Sequence, residues 1–537
     1  MSVRARRLGA ALAFAMAVSL VGAAVASATT TAARDALLAR RGVTRALQHH
    51  WIKVADAQRY RTDIARATRD MSTLPKLRAQ IVAAQLAQLT TLWDSYTSPR
   101  ALALFSQLET NLSYLETHVI PAGRIDVPDA DGIVYRWFGA HGLEFHPLAS
   151  FGALNAAVAA QDVEAARTLA DALVARAIPR GPRLIWEYAF QFGFGRPPWA
   201  SGMAQAVGAQ ALARAGALLQ DPGLVSAAAR AYASVPPLVL QLPSGPWIQL
   251  YGFDREVVLN AQLQTIVSLL DYANASGNAE AAALAQQMNA TAQALLPRFD
   301  TGDWSLYELG GAYAPKEYEL FVTNLLASLA SRTQDPFWVD AAQRFHGYYY
   351  DPPQVTPGTP PPTLYPQPQD GFLDTAQISL TLSQNASVSL SAAGKVTTYR
   401  LARGPHTITW TPPPGLAPGT YPAQLSATNR AGRRSIVKLA PLVVAWDTAP
   451  PPMSAPPQLQ NGTLTWQSSD PGTPWLALTI DFTDPAGVNP PQTLDLGQQP
   501  TSGTAPVTIP PGTWQVTLQA TNSAGLTAPY DLGAVSG

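Results

Sequence analysis

The chain has 537 residues, of which 47% are hydrophobic and 13% are charged, and it contains no cysteine. This hydrophobic content is normal for folded domains, and the length predicts several of them. The formal net charge is zero, which argues against a dedicated nucleic-acid-binding protein. Without cysteine the chain has no disulfide bond, no thiolate metal site and no cysteine nucleophile. The seven histidines show no metal-ligand spacing, so a metal enzyme has little support.

The N-terminus has the three parts of a secretory signal peptide. Three arginines precede an apolar run over residues 8–25, and the small residues 26–28 follow it. We therefore expect a signal peptide over residues 1–28, cleavage after Ala28, and a protein that is secreted or associated with the cell envelope. The alternative is a retained anchor, because the run approaches spanning length, although its Ala and Gly content is weakly hydrophobic. No later apolar run reaches that length, so no membrane span is expected after cleavage.

Residues 29–350 have the periodicity of helices. Apolar residues over 77–89 recur at three- and four-residue intervals, which is typical of an amphipathic helix. Residues 29–124 form an expected helical region with a basic excess; its charges could attract an anionic glycan, although a solvated helix face is the ordinary role. Residues 125–350 contain further expected helices, at 153–177, 203–219, 224–233, 257–272, 279–296 and 319–331. Antiparallel helix pairs with such loops build bundles or α/α toroids.

A Pro-rich segment, residues 351–370, separates the helices from a region with a period of two. Eight of the eighteen residues from 351 to 368 are proline, which predicts a stiff spacer. Beyond it, residues 377–383, 386–390 and 406–410 alternate apolar and polar side chains, as half-buried strands do.

The β region repeats itself at an offset of 93 residues, with residues 418–432 matching residues 511–525. This offset is close to the length of one β-sandwich domain. In each copy Pro-Gly leads into a strand, and Asn-x-Ala-Gly closes it in a turn that tolerates left-handed backbone. The copies resemble the immunoglobulin-like and fibronectin-like modules appended to exported bacterial enzymes. The resemblance implies two all-β sandwiches, over residues 371–449 and 450–537.

Three loop segments of the helical part combine aromatic residues with Gly or Pro. They contain Trp199, Trp247 and Trp304, each beside tyrosines or acidic residues. Sugars stack on aromatic faces and hydrogen-bond to a few polar groups, so a glycan cleft would use such residues. Alternatively, the tryptophans plug the ends of helix pairs. The pattern leaves both interpretations open.

These segments resemble the C-terminal catalytic domain of the D-glucuronyl C5-epimerase family. The resemblance spans about residues 133–348, and three motifs carry most of it: Trp-Ala-Ser-Gly-Met-Ala-Gln at 199–205, Leu-Tyr-Gly at 250–252 and Asp-Thr-Gly-Asp-Trp-Ser-Leu-Tyr-Glu-Leu at 300–309. It implies an incomplete α/α toroid over residues 125–350, and thus a multidomain protein with an all-α domain before the sandwiches. It also implies inversion of glucuronate C5 within a polysaccharide that contains uronic acid, with no cofactor and no metal. The motifs do not indicate an oligomeric state.

Inversion of C5 needs a base on one face of the sugar, an acid on the other, and groups that neutralise the carboxylate. The resemblance implies that three tyrosines are catalytic: Tyr251 and Tyr318 as the opposed proton-transfer pair, with Tyr307 assisting. Tyrosine could fill both roles if its surroundings lower a pKa that is normally near 10.

Further loop residues are expected to bind substrate: Trp199, Arg196, Arg255, Tyr188, Glu187 and Asn260. The two arginines could meet a carboxylate. Leu250 stands where the family commonly has Glu, so Asp254 or Glu256 could supply that carboxylate, although their ordinary role would be at a helix N-terminus. Two alternatives to an epimerase remain. One is a lyase, in which the same carbanion expels the 4-linked sugar; the other is a catalytically inactive protein that binds glycan or cell wall.

Overall fold

The structure, a computed structural model, describes the backbone of residues 25–537 and the side chains of residues 31–537. The expected signal peptide therefore lies outside the residues whose side chains are described. The chain divides into two compact units, which meet in sequence at Tyr349 and Tyr350. Helices dominate the first unit and antiparallel strands form the second, so the predicted order of a helical part and a β part is confirmed. Across the described residues, no helix combines the length and the apolar character that a membrane crossing needs.

Four helices open the first unit: α1 Val25–Gln48, α2 Val54–Thr73, α3 Lys76–Thr91 and α4 Ser98–Thr117. A proline lies in the first turn of α4, where its missing N–H removes no helical hydrogen bond. The apolar faces of these helices, with Leu86, Phe105 and Leu108 fully buried, share one hydrophobic core with the helices that follow. The N-terminal helical region is therefore packed on the rest of the helical unit.

A small antiparallel sheet connects the N-terminal helices to the rest of the unit; its strands are β1 Asp126–Pro128, β2 Val134–Trp137 and β3 Leu143–Phe145. The side chain of Glu144 on β3 is fully buried. Its Oε1 accepts hydrogen bonds from Nε2 of Gln85, at 3.0 Å, and from Nε2 of Gln88. Both glutamines lie on α3, so this carboxyl group attaches α3 to the sheet.

Helix α4 takes the place of a neighbouring strand beside β3. The amide of Asn111 donates to the carbonyl of Leu143 at 2.7 Å and accepts from its N–H at 2.8 Å. Gln107 accepts a hydrogen bond from the N–H of Phe145 at 2.8 Å. Because buried backbone groups need partners, these two side chains allow β3 to be buried without another strand.

The remainder of the first unit contains eight helices and two β-hairpins. The helices are α5 Pro147–Ala159, α6 Val163–Ala175, α7 Gly202–Leu219, α8 Pro222–Tyr232, α9 Leu259–Ser276, α10 Ala279–Phe299, α11 Lys316–Thr333 and α12 Pro336–Tyr350. The hairpin strands are β4 Ile178–Arg180 with β5 Arg183–Ile185, and β6 Val239–Leu242 with β7 Gly245–Ile248. α7 packs against α5, α8 and α9, and α9 packs against α10 and α11. A side chain at Gly208 of α7 would come within 2.8 Å of the Phe151 ring, so this glycine permits the close approach of α7 to α5.

The single helix expected over residues 153–177 is wrong, because the chain breaks between α5 and α6. Gln161 adopts a left-handed conformation with φ of 59°. The side chain of Asp162 then accepts a hydrogen bond from the N–H of Ala165 at 3.0 Å, which caps the start of α6. Both α5 and α6 are rich in Ala and Leu, so the sequence pattern continues across the break and does not reveal it.

The second unit consists of antiparallel strands in two groups, each with its own apolar cluster. The first group is β8 Val355–Pro357, β9 Ala376–Leu382, β10 Ala386–Ala392, β11 Lys395–Leu401, β12 Gly404–Trp410, β13 Gly419–Tyr421, β14 Ala423–Thr428, β15 Arg434–Lys438 and β16 Leu442–Val444. The second is β17 Gln458–Gln460, β18 Thr463–Gln467, β19 Leu476–Thr483, β20 Gln492–Gln499, β21 Ser502–Pro506, β22 Thr513–Thr521 and β23 Thr527–Ser536. The repeated motif lies on β14 and β22, where Leu425 and Leu518 are fully buried.

The turn that closes each repeat uses its asparagine differently from expectation. Only the glycines, Gly432 and Gly525, have positive φ, at 83° and 76°. The side chains of Asn429 and Asn522 instead accept hydrogen bonds from backbone N–H groups four residues later. The Pro-rich segment also differs, because it is part of the β unit. Strand β8 pairs with β9, and Leu364 is only 1% exposed in the first β core.

The buried carboxyl of Glu144 predicts a pH-dependent stability. Burial raises its pKa from 4.5 to about 8, so between these values the folded state binds more protons than the unfolded state. The free energy of unfolding should therefore fall as pH rises from about 5 to about 8. Urea unfolding at about pH 5 and about pH 8 should show a smaller fall in the free energy of unfolding for Glu144→Gln than for the wild type. The exposed control Glu164→Gln should behave as the wild type; an unchanged pH dependence in Glu144→Gln would contradict the assignment.

Candidate active site

The loop that carries Tyr251 follows strand β7 and is fixed by the loop before α7. The N–H of Gly252 donates to the carbonyl of Ala200 at 2.8 Å, and the N–H of Gly202 donates to the carbonyl of Gln249 at 2.9 Å. A side chain at Gly252 would lie 2.8 Å from that same carbonyl oxygen of Ala200. A glycine after the tyrosine is thus required for this contact, which sets the position of Tyr251.

The loop that carries Tyr307 lies along the start of α9. The N–H of Leu259 donates to the carbonyl of Tyr307 at 3.2 Å, and the N–H of Leu309 donates to the carbonyl of Val257 at 3.0 Å. This pairing forms a bridge between Val258 and Glu308. Since Val257 comes six residues after Tyr251, the pairing brings the second tyrosine loop back to the first.

Tyr318 lies in the first turn of α11, and the next residue connects that turn to the Tyr307 loop. The side chain of Glu319 is fully buried. Its Oε2 accepts hydrogen bonds from the backbone N–H of Ser305, at 2.9 Å, and from the Ser305 hydroxyl. Glu319 therefore holds α11 against the loop, with Tyr307 two residues beyond Ser305.

These connections bring the three predicted tyrosines into one cluster. The rings of Tyr307 and Tyr318 lie edge to face, with centroids 5.3 Å apart. The phenols of Tyr251 and Tyr307 are close enough to influence each other, and Tyr318 is close enough to act electrostatically on both. All three side chains are partly buried. The cluster combines residues that are separated by 67 positions in the sequence, from 251 to 318.

Burial raises the pKa of Tyr251 and of Tyr307 well above their ordinary value. The condition of a lowered tyrosine pKa is therefore not met by these two, because the phenolate would be poorly solvated. Glu256 acts on both phenols, and its own pKa is raised to about 7 by burial and by the neighbouring Asp254 and Glu308. At neutral pH the two phenols keep their protons, whereas Glu256 is available to accept one.

Asp254 holds the loop before α9 and does not cap that helix, whose N-cap residue is Val258. Its Oδ1 accepts hydrogen bonds from the backbone N–H groups of Arg255 and Glu256, at 2.5 and 3.1 Å. It therefore shapes the loop between Tyr251 and α9. Of the two carboxylates that the sequence offers in this loop, Glu256 is the one that acts on the phenols.

The tryptophans of the three loops are buried. Trp199, Trp247 and Trp304 are 8%, 0% and 3% exposed, which is the plug arrangement. Trp199 stacks on Tyr188, with ring centroids 4.2 Å apart and planes 4° apart, and its indole N–H donates to the carbonyl of Phe190. The facing surfaces of both rings are occupied, so direct stacking of a sugar on Trp199 or Tyr188 is not supported; the pair instead packs beneath Tyr251.

The remaining predicted substrate-binding residues lie in different surroundings. The carboxylate of Glu187 forms ion pairs with Arg100, at 2.9 Å, and with Arg180, at 2.6 Å, so it is neutralised within the protein. Asn260 is 4% exposed in the first turn of α9. Arg196 and Arg255 are exposed. Within the part of the chain that the structure describes, neither guanidinium has a hydrogen-bond or ion-pair partner, so both are available to an anion.

Two other features bear on what the unit can bind. Among the described residues no group of acidic, histidine or cysteine side chains could hold a metal ion. A cavity between α4 and β4, lined by Arg100, Gln107, Arg176 and Glu187 among others, has a volume of only about 20 Å³. That volume suits about one water molecule, so it is not a sugar site.

Sequence reasoning missed the contribution of Glu319. It follows Tyr318 in the first turn of a helix, where acidic residues are common for electrostatic reasons alone. Its bond to Ser305 depends on how two loops meet, and no local pattern indicates that. Phe192 was also missed; its ring lies 5.1 Å from that of Tyr251.

The helices and the tyrosine cluster define a helical domain with an aromatic and acidic site on its loops. Comparison with known families matches residues 180–347 to the D-glucuronyl C5-epimerase C-terminus. This match confirms the resemblance to that family for the part of the chain from β4 to α12. No curated protein matches the chain.

Some solved structures are similar at low identity. An endoglucanase from Komagataeibacter sucrofermentans is 13% identical over 35% of this chain and 68% of its own, with a TM-score of 0.26. The endo-β-1,4-glucanase CMCax from Acetobacter xylinum is 16% identical over 43% of this chain and 77% of its own, with a TM-score of 0.27. Fibronectin(III)-like modules of CbhA from Clostridium thermocellum are 16% identical over 33% of this chain and 91% of their own, with a TM-score of 0.17. At these values the likenesses assign no function.

The bond between Glu319 and Ser305 predicts a measurable loss of stability. In Glu319→Ala the buried N–H and hydroxyl of Ser305 lose their acceptor, which should cost about 2 kcal/mol in the free energy of unfolding. Glu319→Gln retains an acceptor oxygen and should lose less. Glu317→Ala, an exposed residue of the same turn, is the control in urea unfolding. Equal stability of Glu319→Ala and Glu317→Ala would show that the contact is unimportant.

Proposed function

We propose that the protein inverts C5 of glucuronate residues within a polysaccharide. The observation that carries this proposal is the convergence of Tyr251, Tyr307 and Tyr318 in a segment that matches the C5-epimerase family. The family supports an epimerase-like function and a polysaccharide substrate. The choice of glucuronate and the roles of individual tyrosines are our proposals.

The reaction removes the C5 proton on one face of the sugar ring and returns a proton on the other. In our proposal Tyr251 receives the C5 proton while its own phenolic proton passes to Glu256, so that Tyr251 does not become a phenolate. The electron pair of the broken C–H bond is delocalised into the substrate carboxylate. Tyr318 donates its phenolic proton to the opposite face of C5, and the proton held by Glu256 then returns to the Tyr318 phenolate through water, so that both groups are restored. Tyr307 assists as the phenol that acts most strongly on Tyr251.

The assignment of Glu256 as final proton acceptor follows from the raised pKa values. A buried phenol with a raised pKa gives up its proton less readily than an ordinary phenol, and in its neutral form it is a poor base, so it needs a partner that takes its proton as it receives another. Glu256 acts on Tyr251 and on Tyr307 and has a pKa of about 7. The enediolate also needs positive charge nearby, and the exposed Arg196 and Arg255 are the groups that we propose for the carboxylate.

The wider architecture is part of the proposal. We infer that the helical unit is an incomplete α/α toroid, because pairs of helices with the site on connecting loops suit that fold. We infer that the two strand groups of the second unit are immunoglobulin-like sandwiches, supported by their antiparallel sheets and separate cores. We also propose that the protein is exported, on the basis of the N-terminal residues, and acts on a polysaccharide outside the cytoplasm.

Isotope exchange in heavy water tests the proposal directly. The wild type should introduce deuterium at C5 of an unsulfated polymer of alternating glucuronate and N-acetylglucosamine, without chain cleavage. Tyr318→Phe and Tyr251→Phe should each lower the exchange rate by about 100-fold or more, the contribution typical of a positioned acid or base. Tyr313→Phe, an exposed tyrosine of the neighbouring loop, is the matched control, and its rate should stay close to the wild-type rate.

Other results would point to the alternative functions. An unsaturated uronate that absorbs ultraviolet light would show a lyase, since the carbanion would then expel the 4-linked sugar. Glycan binding that survives Tyr251→Phe and Tyr318→Phe, with no exchange even in the wild type over a panel of uronic-acid polymers, would show a binding protein. Either result would overturn the epimerase proposal.

The pKa of Glu256 predicts the pH dependence of the reaction. Glu256 must be ionised to accept a proton, and its pKa is about 7. The value of kcat/KM should therefore rise with pH up to about 7 and level off above it. Glu256→Gln should lower the rate by about 100-fold and remove this rise. If Glu256→Gln keeps both the rate and the pH profile of the wild type, Glu256 is not the proton acceptor.

A further inference from the structure

A short hairpin beside the tyrosine cluster projects an aromatic side chain into solvent. Its two arms are joined by reciprocal backbone hydrogen bonds between Tyr188 and Trp199, and its tip is closed by a second pair between Phe192 and Gly195. Gly193 in the tip has φ of 57°, a conformation that glycine adopts without strain. Phe194 lies at this tip and is 70% exposed.

The hairpin is held in place by close contact with the Tyr251 loop. A side chain at Gly195 would come within 2.2 Å of the Phe253 ring, so the backbone of the tip packs directly on that ring. The centroids of Phe194 and Phe253 are 5.4 Å apart in an edge-to-face arrangement. The ring of Phe253 is in turn nearly parallel to that of Tyr251, with centroids 5.6 Å apart. Phe194 is therefore fixed relative to the tyrosine cluster.

The chemistry of this surface suits a sugar that carries a carboxylate. Aromatic rings present flat apolar faces on which the C–H faces of a sugar ring pack. Arg196 follows Gly195 and Arg255 follows Asp254, and both guanidinium groups are exposed. Phe194 extends the aromatic surface of Phe253 and Tyr251, and an exposed apolar patch next to a site marks a binding surface.

We propose that Phe194 and Phe253 form a second sugar-binding subsite, which takes the sugar unit next to the uronate at the tyrosine cluster. This inference rests on the proposed function, because the tyrosine cluster defines where the reacting sugar lies. Its occupant is a neighbouring unit of the same polysaccharide chain, since the aromatic surface continues from Tyr251 through Phe253 to Phe194. The subsite gives the protein a preference for polymer over a single uronate.

Binding and turnover are measured separately to test the subsite. Affinity electrophoresis uses gels that contain one of three polymers: the alternating glucuronate and N-acetylglucosamine polymer, polyglucuronate, or alginate. At least one polymer should retard the wild type. Phe194→Ala should weaken that affinity by about tenfold, because the sugar loses the aromatic face on which it packs, whereas Phe194→Trp should retain it. Val163→Ala, which changes an exposed apolar residue of α6, should bind as the wild type.

The isotope-exchange assay with the preferred polymer supplies the second readout. Phe194→Ala should raise KM by about tenfold and change kcat by less than about twofold, because Phe194 lies outside the reacting cluster. Unchanged affinity and unchanged KM in Phe194→Ala would overturn the subsite, as would the absence of retardation by all three polymers. Retardation that depends on Phe194 without any exchange in the wild type would support the subsite and overturn the epimerase proposal, so the two failures are distinguishable.

Discussion

Two backbone hydrogen bonds between residues 257–259 and 307–309 are the contact on which the rest of the site depends. They join the start of α9 to the loop after α10, at 3.2 and 3.0 Å. Without this pairing, Tyr307 would have no fixed relation to Tyr251, because a whole pair of helices separates them in the chain. Glu319 extends the same arrangement to α11 through Ser305. The tyrosine cluster is therefore a product of loop pairing on a rigid pair of helices, which is the usual way in which loops carry function.

The sequence predicts the parts of this arrangement that local patterns encode. The order of helices and strands follows from the change of period after residue 350, and the three tyrosines follow from family motifs. What local patterns do not encode is burial. Trp199 and Tyr188 look like sugar platforms in the sequence, yet their rings stack on each other; the tyrosine pKa values rise because the same packing removes water. The Pro-rich segment is a further example. Val355–Pro357 forms a strand because it pairs with β9, and the local sequence does not indicate this pairing.

Burial also determines which groups donate and which groups accept protons in the proposed reaction. A tyrosine that lies beside an arginine can become a phenolate, but the strongest influences on Tyr251 after burial are Tyr307, Tyr318 and Glu256. Such surroundings favour a neutral phenol. In the proposed reaction Tyr251 can therefore accept the C5 proton only if a carboxylate takes the phenolic proton of Tyr251 at the same time. Leu250 cannot do this, and Asp254 is committed to the loop backbone. The position of Glu256 thus explains how the cluster can work with Leu250 before its first tyrosine.

The acidic character of the cluster constrains how a uronate can approach it. Glu256 and Glu308 both act electrostatically on the phenol of Tyr307, and a substrate carboxylate placed beside them would be repelled. Arg196 and Arg255 are exposed beside the aromatic hairpin, and a carboxylate directed toward them avoids that repulsion. We propose that in this orientation C5 faces the tyrosines, while the rest of the polysaccharide runs over Phe253 and Phe194. Charge and aromatic packing then select the same direction for the polysaccharide, although they come from different loops.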